Sequence, residues 1–174
     1  MGLDIVAVSR VQPWTPELGQ LTDLGLSGSE FVALIEQRDI DTGLWSGVEP
    51  GKYWSGPGSE QLSERIGSYS YYGRWRDLCW RLDPGPGLTH LLLHSDANGG
   101  WGAEPALEMH RELIESRALA QKRWLADQDS ATVGSLLRWL ADQDSATVGS
   151  LLETWDQLIR LTKIAADDGL LMLC

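Results

Sequence analysis

One 15-residue segment occurs twice in direct succession in this chain. Residues 123–137 read RWLADQDSATVGSLL, and residues 138–152 repeat those letters at all 15 positions. Identity without drift indicates a recent in-frame duplication or a deliberate insertion, so the second copy implies no selected function. A solenoid needs at least three diverged units that stack, and two copies do not meet that requirement. The fold must be that of a 159-residue chain that accommodates 15 further residues.

The repeated segment contains residues that end a helix as well as residues that form one. Each copy carries an Asp-Ser pair, at 129–130 and 144–145, and both residue types are good N-caps for the helix that follows. We therefore expect two helices with a break near 142–145. One continuous helix over 123–167 is the alternative.

A helix that extends beyond its own core would expose apolar side chains. In the second copy these are Trp139 and Leu140. Exposed side chains of this size favour contact with another chain. The duplication therefore predicts a homodimer or a domain swap through the duplicated segment.

The charge balance excludes several classes of protein. Acidic residues outnumber basic ones by 25 to 14, a formal net charge of −11. This sign disfavours nucleic acids and anionic membranes, and no apolar run approaches the roughly 20 residues of a membrane span. Cys79 and Cys174 belong to no CxxC motif and no Cys/His cluster, which is typical of reduced thiols in a cytoplasmic protein. We expect a cytoplasmic protein with no cofactor, no nucleic-acid partner and no membrane partner.

Proline and glycine breaks divide the chain into short elements of both kinds. The order of elements is not a regular βαβ alternation, which indicates the α+β class. We expect a single domain over 1–174 with a small mixed or antiparallel sheet, a C-terminal pair or trio of helices and a final short strand. The pattern predicts strands at 3–11, 53–54, 68–72, 89–94 and 170–174, a loop at 95–102, a strand or helical turn at 30–38, and helices at 73–82, 105–125 and 146–167, the last capped by Gly169.

Three segments resemble a family of small uncharacterised bacterial and phage proteins. They are the start MGLDI, the box GSYSYYGRWR at 67–76 and the segment HSDANGGWG at 94–102. Members of that family begin MGLDI, carry GSYSxYxxWR and SDxxGxxG, and end with a helix, AAxxG and a short strand that often finishes in His. This chain matches AAxxG at 165–169 but stops at Cys174. The resemblance implies a shared α+β fold and a phage or prophage setting, and it implies no activity.

The Tyr/Arg box is the first candidate site. Aromatic rings stand beside guanidinium groups in an otherwise acidic chain, and these groups can stack a base and hold a phosphate or carboxylate. The alternative is structural, with a buried Trp and arginines paired to nearby acids. The candidate ligand-binding residues are Tyr69, Tyr71, Tyr72, Arg74, Trp75 and Arg76.

The second candidate site combines His90, His94 and Asp96. On a strand, these positions would share one face. Two imidazoles and a carboxylate could then ligate a metal or form an acid/base pair. Structural roles are the alternative, because Asp side chains stabilise turns in loops of this type, and no metal is expected.

Two functions follow from these candidates. The favoured interpretation is a non-enzymatic binding or interaction protein, which would take a protein partner or a small anionic ligand. The alternative is a hydrolase for a phosphorylated or nucleotide-like substrate, in which His94 and Asp96 do the chemistry while Arg74 or Arg76 holds the anion. An interaction protein requires an exposed apolar patch, whereas a hydrolase requires these groups to converge in one pocket.

Overall fold

The computed structural model describes residues 2–23, 30–82, 88–94, 98–131, 133–141 and 147–174. The predicted α+β class is confirmed, with a trio of C-terminal helices followed by a short strand. The strands are β1 (Gly2–Val8), β2 (Val11–Pro13), β3 (Phe31–Ile35), β4 (Trp45–Ser46), β5 (Gly51–Ser55), β6 (Gln61–Ser68), β7 (Gly99–Gly102) and β8 (Leu170–Leu173). The helices are α1 (Pro16–Asp23), α2 (Gln37–Asp41), α3 (Tyr69–Trp80), α4 (Thr89–Leu93), α5 (Ala103–Ala126), α6 (Val133–Ala141) and α7 (Val148–Ala165).

Five strands form the main sheet in the order β4-β7-β8-β1-β6. β1 pairs antiparallel with both β6 and β8, and β7 pairs antiparallel with β8. β4 is parallel to β7 at one edge. The sheet is therefore mixed, and its two central strands come from opposite ends of the chain.

One face of the main sheet packs against helices. Leu3, Ile5 and Ala7 alternate along β1 and are fully buried. Leu171 and Leu173 lie opposite Ala7 and Ile5 on β8 and join the same core. This alternation of buried positions is what a half-buried strand requires. The main core forms here, between the sheet and α3, α5 and α7.

The other face of β8 contacts a second sheet. Three strands form that sheet in the order β2-β5-β3, and it is called the small sheet below. Leu170 and Met172 pack with Ala33, Ile35 and Tyr53 in a second apolar cluster. β8 therefore contributes alternate side chains to two cores.

Two predicted elements are wrong in type. The strand expected at 89–94 is helix α4, and the loop expected at 95–102 contains strand β7. A short apolar run such as THLLL does not distinguish a buried strand from a helical turn. β7 is possible because of its glycines: Gly99 has φ +93, and a side chain there would meet the Leu44 carbonyl oxygen.

The Tyr/Arg box also changes type. β6 ends at Ser68 and α3 begins at Tyr69, so the strand expected at 68–72 and the helix start expected at position 73 are both wrong. The Ser68 hydroxyl accepts a hydrogen bond from the Tyr71 backbone N–H at 3.0 Å. That N-cap starts the helix four residues earlier than predicted.

Each copy of the duplicated segment contains the end of one helix and the start of the next. The first copy spans the last turn of α5 and the start of α6, and the second spans the end of α6 and the start of α7. The Ser130 hydroxyl accepts from the N–H of Val133, the first residue of α6, at 3.2 Å. The N-cap of α7 is Thr147, so the cap expected at 144–145 is wrong. One continuous helix over 123–167 is wrong, since α5 ends at Ala126 and α7 begins at Val148. The break expected at 142–145 and the side chains of Trp139 and Leu140 lie outside the described part.

The α5 and α7 helices pack antiparallel on either side of this insertion. The Trp155 indole N–H donates to the Leu113 carbonyl at 2.8 Å. Trp124 lies against Trp155 with ring centroids 5.6 Å apart. α6 adds Val133 to the same core. The extra helix therefore lies in the connection between α5 and α7 and contributes to the core that they share.

Two non-glycine residues adopt the left-handed backbone conformation. Arg10 has φ +51 and Asp168 has φ +48, a conformation that costs an L-residue roughly 1–2 kcal/mol. The Arg10 N–H donates to the Asp167 carbonyl at 2.7 Å, and the Val11 N–H donates to the Asp168 carbonyl at 2.9 Å. Gly169, expected to cap α7, has no positive φ; a side chain there would lie 2.1 Å from the Val8 carbonyl oxygen.

Candidate functional site

Three aromatic residues of the Tyr/Arg box are part of the main core. Tyr71, Tyr72 and Trp75 are buried. The Tyr71 hydroxyl hydrogen-bonds to the Thr154 hydroxyl at 2.7 Å, and the Trp75 indole N–H donates to the Leu151 carbonyl at 3.0 Å. Burial raises the pKa of Tyr71. These side chains hold α3 against α7 and present no ring to a ligand.

The two arginines of the box lie in different environments. Arg74 is exposed, whereas Arg76 is half-buried. Arg76 Nη2 donates to the carbonyls of Leu92 and His94, each at 2.7 Å. Unpaired carbonyls at the end of a helix need such donors. Arg76 therefore holds the end of α4, and both hydrogens of its Nη2, which was expected to help hold an anion, are used by the Leu92 and His94 carbonyls.

Tyr69 and Arg74 are the exposed members of the box. The structure thus brings all six residues onto one helix but not into one pocket. A sequence signal for this existed. Positions 71, 72, 75, 78, 79 and 82 follow helical spacing without interruption once the helix is started at 69.

The histidines do not share a strand face, because α4 is a helix. His94 is 8% exposed, its ring centroid lies 4.0 Å from that of Trp101, and its Nε2 donates to the Leu44 carbonyl at 2.9 Å. These contacts fix the imidazole inside the fold. Asp96, its expected partner, lies outside the described residues. In this arrangement His94 has a structural role and does not face a substrate.

His90 pairs with a carboxylate on α5. His90 Nδ1 lies 3.2 Å from Glu112 Oε1. Burial raises the pKa of Glu112, and the hydrogen bond with His90 opposes that rise. Within the described ranges, no three His, Cys, Asp or Glu side chains converge as a metal site requires.

A different surface carries large exposed apolar side chains. Residues directly opposite each other in an antiparallel pair point to the same side of a sheet. In the small sheet Gln12 and Phe31 both lie opposite Trp54, and Leu34 lies opposite Lys52. The Trp14 N–H donates to the Lys52 carbonyl at 2.6 Å. Trp14 therefore lies next to Lys52, two residues after Gln12 and on the same side of the sheet. We call Trp14, Phe31, Leu34, Lys52 and Trp54 the outer face.

The outer face is exposed although much of it is apolar. Phe31 is 54% and Leu34 is 53% exposed. Phe31 meets Trp54 edge to face, with ring centroids 5.5 Å apart. The Trp54 Nε1–H is buried and has no acceptor within hydrogen-bond distance among the described residues. A buried donor without an acceptor is unusual in a folded protein.

The sequence gives little sign of this surface. The tryptophans are spread along the chain, and their spacing does not separate buried from exposed ones. Trp75, Trp101, Trp124 and Trp155 are fully buried, whereas Trp14 and Trp80 are exposed. The outer face depends on the pairing of strands that are distant in sequence, and the register shifts between Phe31 and Ala33. That irregularity breaks the two-residue alternation by which a half-exposed strand is recognised.

Comparison with protein-family models, curated proteins and solved structures finds no match to this chain. Membership of the family that its motifs resemble stays a prediction. In the part of the chain that the structure describes, no helix is both long and apolar enough for a membrane span.

Proposed function

We propose that this protein binds another protein through the outer face of the small sheet. The observation that carries the proposal is the pair Phe31 and Leu34, each more than half exposed on one sheet surface. Single exposed apolar residues are ordinary, but a contiguous set with aromatic members is typical of interaction sites. The outer face supplies such a set, with Trp54 beside Phe31 and with Trp14, 45% exposed, across β5 from Leu34.

The surroundings of β3 favour a partner with basic residues. Glu30 and Glu36 are exposed at the two ends of β3. The chain as a whole carries a net charge of −11. Complementary charge speeds association and rejects acidic competitors. The partner is therefore a protein segment with apolar side chains and flanking Lys or Arg.

The edge of β3 favours an extended partner. β3 pairs with β5 on one side, and no described strand pairs with its other side. An open strand edge accepts an added strand through backbone hydrogen bonds. A partner that pairs there would place alternate side chains beside Phe31 and Leu34 on the outer face, near Trp54, whose N–H has no acceptor among the described residues.

Selection from a displayed peptide library tests the proposal. We expect enriched peptides that combine apolar and basic residues and bind the native protein saturably. The double variant Phe31→Ser with Leu34→Ser should bind them at least tenfold more weakly, as truncation of central apolar contacts does. Because both side chains are exposed, the melting temperature should change little.

A matched control separates this surface from general hydrophobicity. Leu93 and Ile114 are 72% and 52% exposed and lie on α4 and α5. Leu93→Ser with Ile114→Ser removes a similar apolar area and should leave peptide affinity unchanged. Equal affinity of the outer-face variant and the native chain would contradict the proposal, as would enriched peptides that are acidic.

A further inference from the structure

A cavity of about 400 Å³ opens between the end of α7 and the strands β1 and β6. It lies apart from the outer face, and its interpretation does not rest on the proposed interaction. Its base is apolar, since Leu62 and Ile164 pack there against the main core. The lining consists of Ser9, Arg10, Glu60, Leu62, Arg160, Lys163, Ile164 and Asp167.

Three cationic side chains line this cavity in a strongly acidic protein. Arg160 Nη2 donates to Glu64 Oε1 at 2.7 Å, so Arg160 has a partner outside the lining. Among the described residues, Lys163 has no carboxylate within ion-pair distance. Glu60 and Asp167 also line the cavity, so its three cations exceed its acids by one. Two other cavities among the described residues have acidic side chains and no Lys or Arg in their lining.

The position of Arg160 and Lys163 alone would not indicate a ligand. Cations near the C-terminus of a helix such as α7 offset its dipole. Arg10 reaches the same cavity from the turn after β1, so the cations around it come from two separate elements. It adopts φ +51, a conformation that suits glycine better than arginine.

The Arg10 guanidinium is held at the cavity by two contacts. Its Nε donates to Asp167 Oδ2 at 2.8 Å, and its Nη1 donates to the Gly58 carbonyl at 3.2 Å. Its side chain nevertheless remains 55% exposed. A guanidinium fixed in direction but open to solvent is suited to a carboxylate or phosphate. Backbone strain beside such a group is a feature of binding sites.

We infer that this cavity binds a small amphipathic anion, with its apolar body on Leu62 and Ile164 and its carboxylate or phosphate group between Arg10 and Lys163. Charge-assisted hydrogen bonds from both cations would hold the anionic group. The apolar base would select against inorganic ions.

Calorimetric titration of the full chain tests this inference. The probes are benzoate and phenyl phosphate, with benzyl alcohol as a neutral molecule that has a similar apolar body. We expect saturable binding of at least one of the two anions and none of the alcohol. Whichever anion binds identifies the anionic group that the site prefers. Binding should weaken as salt is raised, because the cations are accessible to solvent.

Two variants and one control locate the binding. Arg10→Gly removes the guanidinium and leaves a residue that adopts the same φ readily, so loss of binding cannot be attributed to a distorted turn. Lys163→Ala removes the second cation. Each substitution should weaken binding of the anion at least tenfold. Lys122→Ala removes an exposed lysine at the far end of α5 and should have no effect.

Several results would overturn the inference. One is that neither anion binds saturably at millimolar concentration. Another is that benzyl alcohol binds with the same affinity as the anions. A third is that Lys122→Ala loses as much anion affinity as the two cavity variants. Unchanged affinity in both Arg10→Gly and Lys163→Ala would also overturn it. Peptide binding to the outer face can fail or succeed independently, since the two sites share no residue.

Discussion

Arg117 and Asp156 form a two-pronged ion pair between α5 and α7. Arg117 Nε lies 2.6 Å from Asp156 Oδ1, and its Nη2 lies 2.7 Å from Oδ2. This fork geometry is stronger than a single contact. The hydrogen bonds from Arg117 lower the pKa of Asp156, and burial opposes that effect.

The lowered pKa of Asp156 predicts how stability depends on pH. Its pKa in the folded state lies below that in the unfolded chain, so its contribution is present above the unfolded pKa and is lost as pH falls through the folded one. Because both side chains are partly exposed, solvent screening limits the contribution at neutral pH to about 0.5–1 kcal/mol. Asp156→Asn should lower the melting temperature by a few degrees at neutral pH.

Thermal melts over a range of pH check this prediction. The difference between Asp156→Asn and the native chain should shrink below about pH 4, where the unfolded-state carboxyl is protonated. Glu108→Gln is the control, since Glu108 forms an exposed pair with Arg111 within one helix. A difference that stays constant down to the acid limit would show that charge is not its cause.

Individual positions could be predicted where helical spacing is regular. Trp75, Leu78, Cys79 and Leu82 were expected on one face of a helix, and all four are buried. The role of Arg76 could not be predicted, because it depends on carbonyls 16 and 18 residues away in sequence. Spacing describes which side of a helix a residue occupies, but it does not specify what lies opposite.

At the scale of elements, the duplication adds one complete helix to a helical hairpin. Its borders fall within α5 and α7, and α6 lies between them, formed from the end of the first copy and the start of the second. Val133 and Val148 occupy equivalent positions in the two copies, and both are buried. Both copies therefore contribute a valine to the main core.

Removal of one copy should therefore leave a folded protein. Deletion of 138–152 leaves a single copy, whose interhelical segment would connect α5 directly to α7. A connection of that length is ordinary for antiparallel helices. The retained copy supplies the same residues at the end of α5 and the start of α7, so the main loss is the burial of one of the two equivalent valines, Val133 and Val148, worth roughly 1.5–3 kcal/mol. Circular dichroism and thermal unfolding measure the outcome; a deletion variant without a cooperative transition would contradict it.

Elements could be predicted where turn residues were explicit. The Asp-Ser pair at 129–130 was expected to precede a helix, and α6 begins three residues later at Val133; the final strand lies where expected. α4 could not be recognised, since its five residues are too few to show a period. β7 was not predicted because a glycine-rich sequence is typical of a loop. The same glycines allow the close approach of β7 to neighbouring backbone.

At the scale of the whole molecule, a homodimer or domain swap through 123–152 stays a prediction. A swap would exchange α7 between copies of the chain and would open the connection that contains α6. Size-exclusion chromatography with light scattering should then detect a dimer of the native chain and a monomer of the deletion variant. A strict monomer of the native chain at high concentration would contradict this expectation.

The architecture of the whole molecule could be predicted only as a class. Counting strands and helices indicated α+β, but the division into two sheets depends on which strands pair. The outer face follows from that division, because β2, β3 and β5 lie on the side of β8 away from the helices. No local pattern predicts that three separate segments share one surface.

The position of β8 has a consequence for how the protein is made. It is the last described strand to leave the ribosome, yet it lies between β7 and β1 and contributes to both apolar clusters. Until it emerges, β1 lacks one of its two neighbours, and the small sheet lacks Leu170 and Met172 beneath it. Assembly of the main sheet must therefore wait for nearly all of this chain to be synthesised, and nascent chains carry an open strand edge for most of that time.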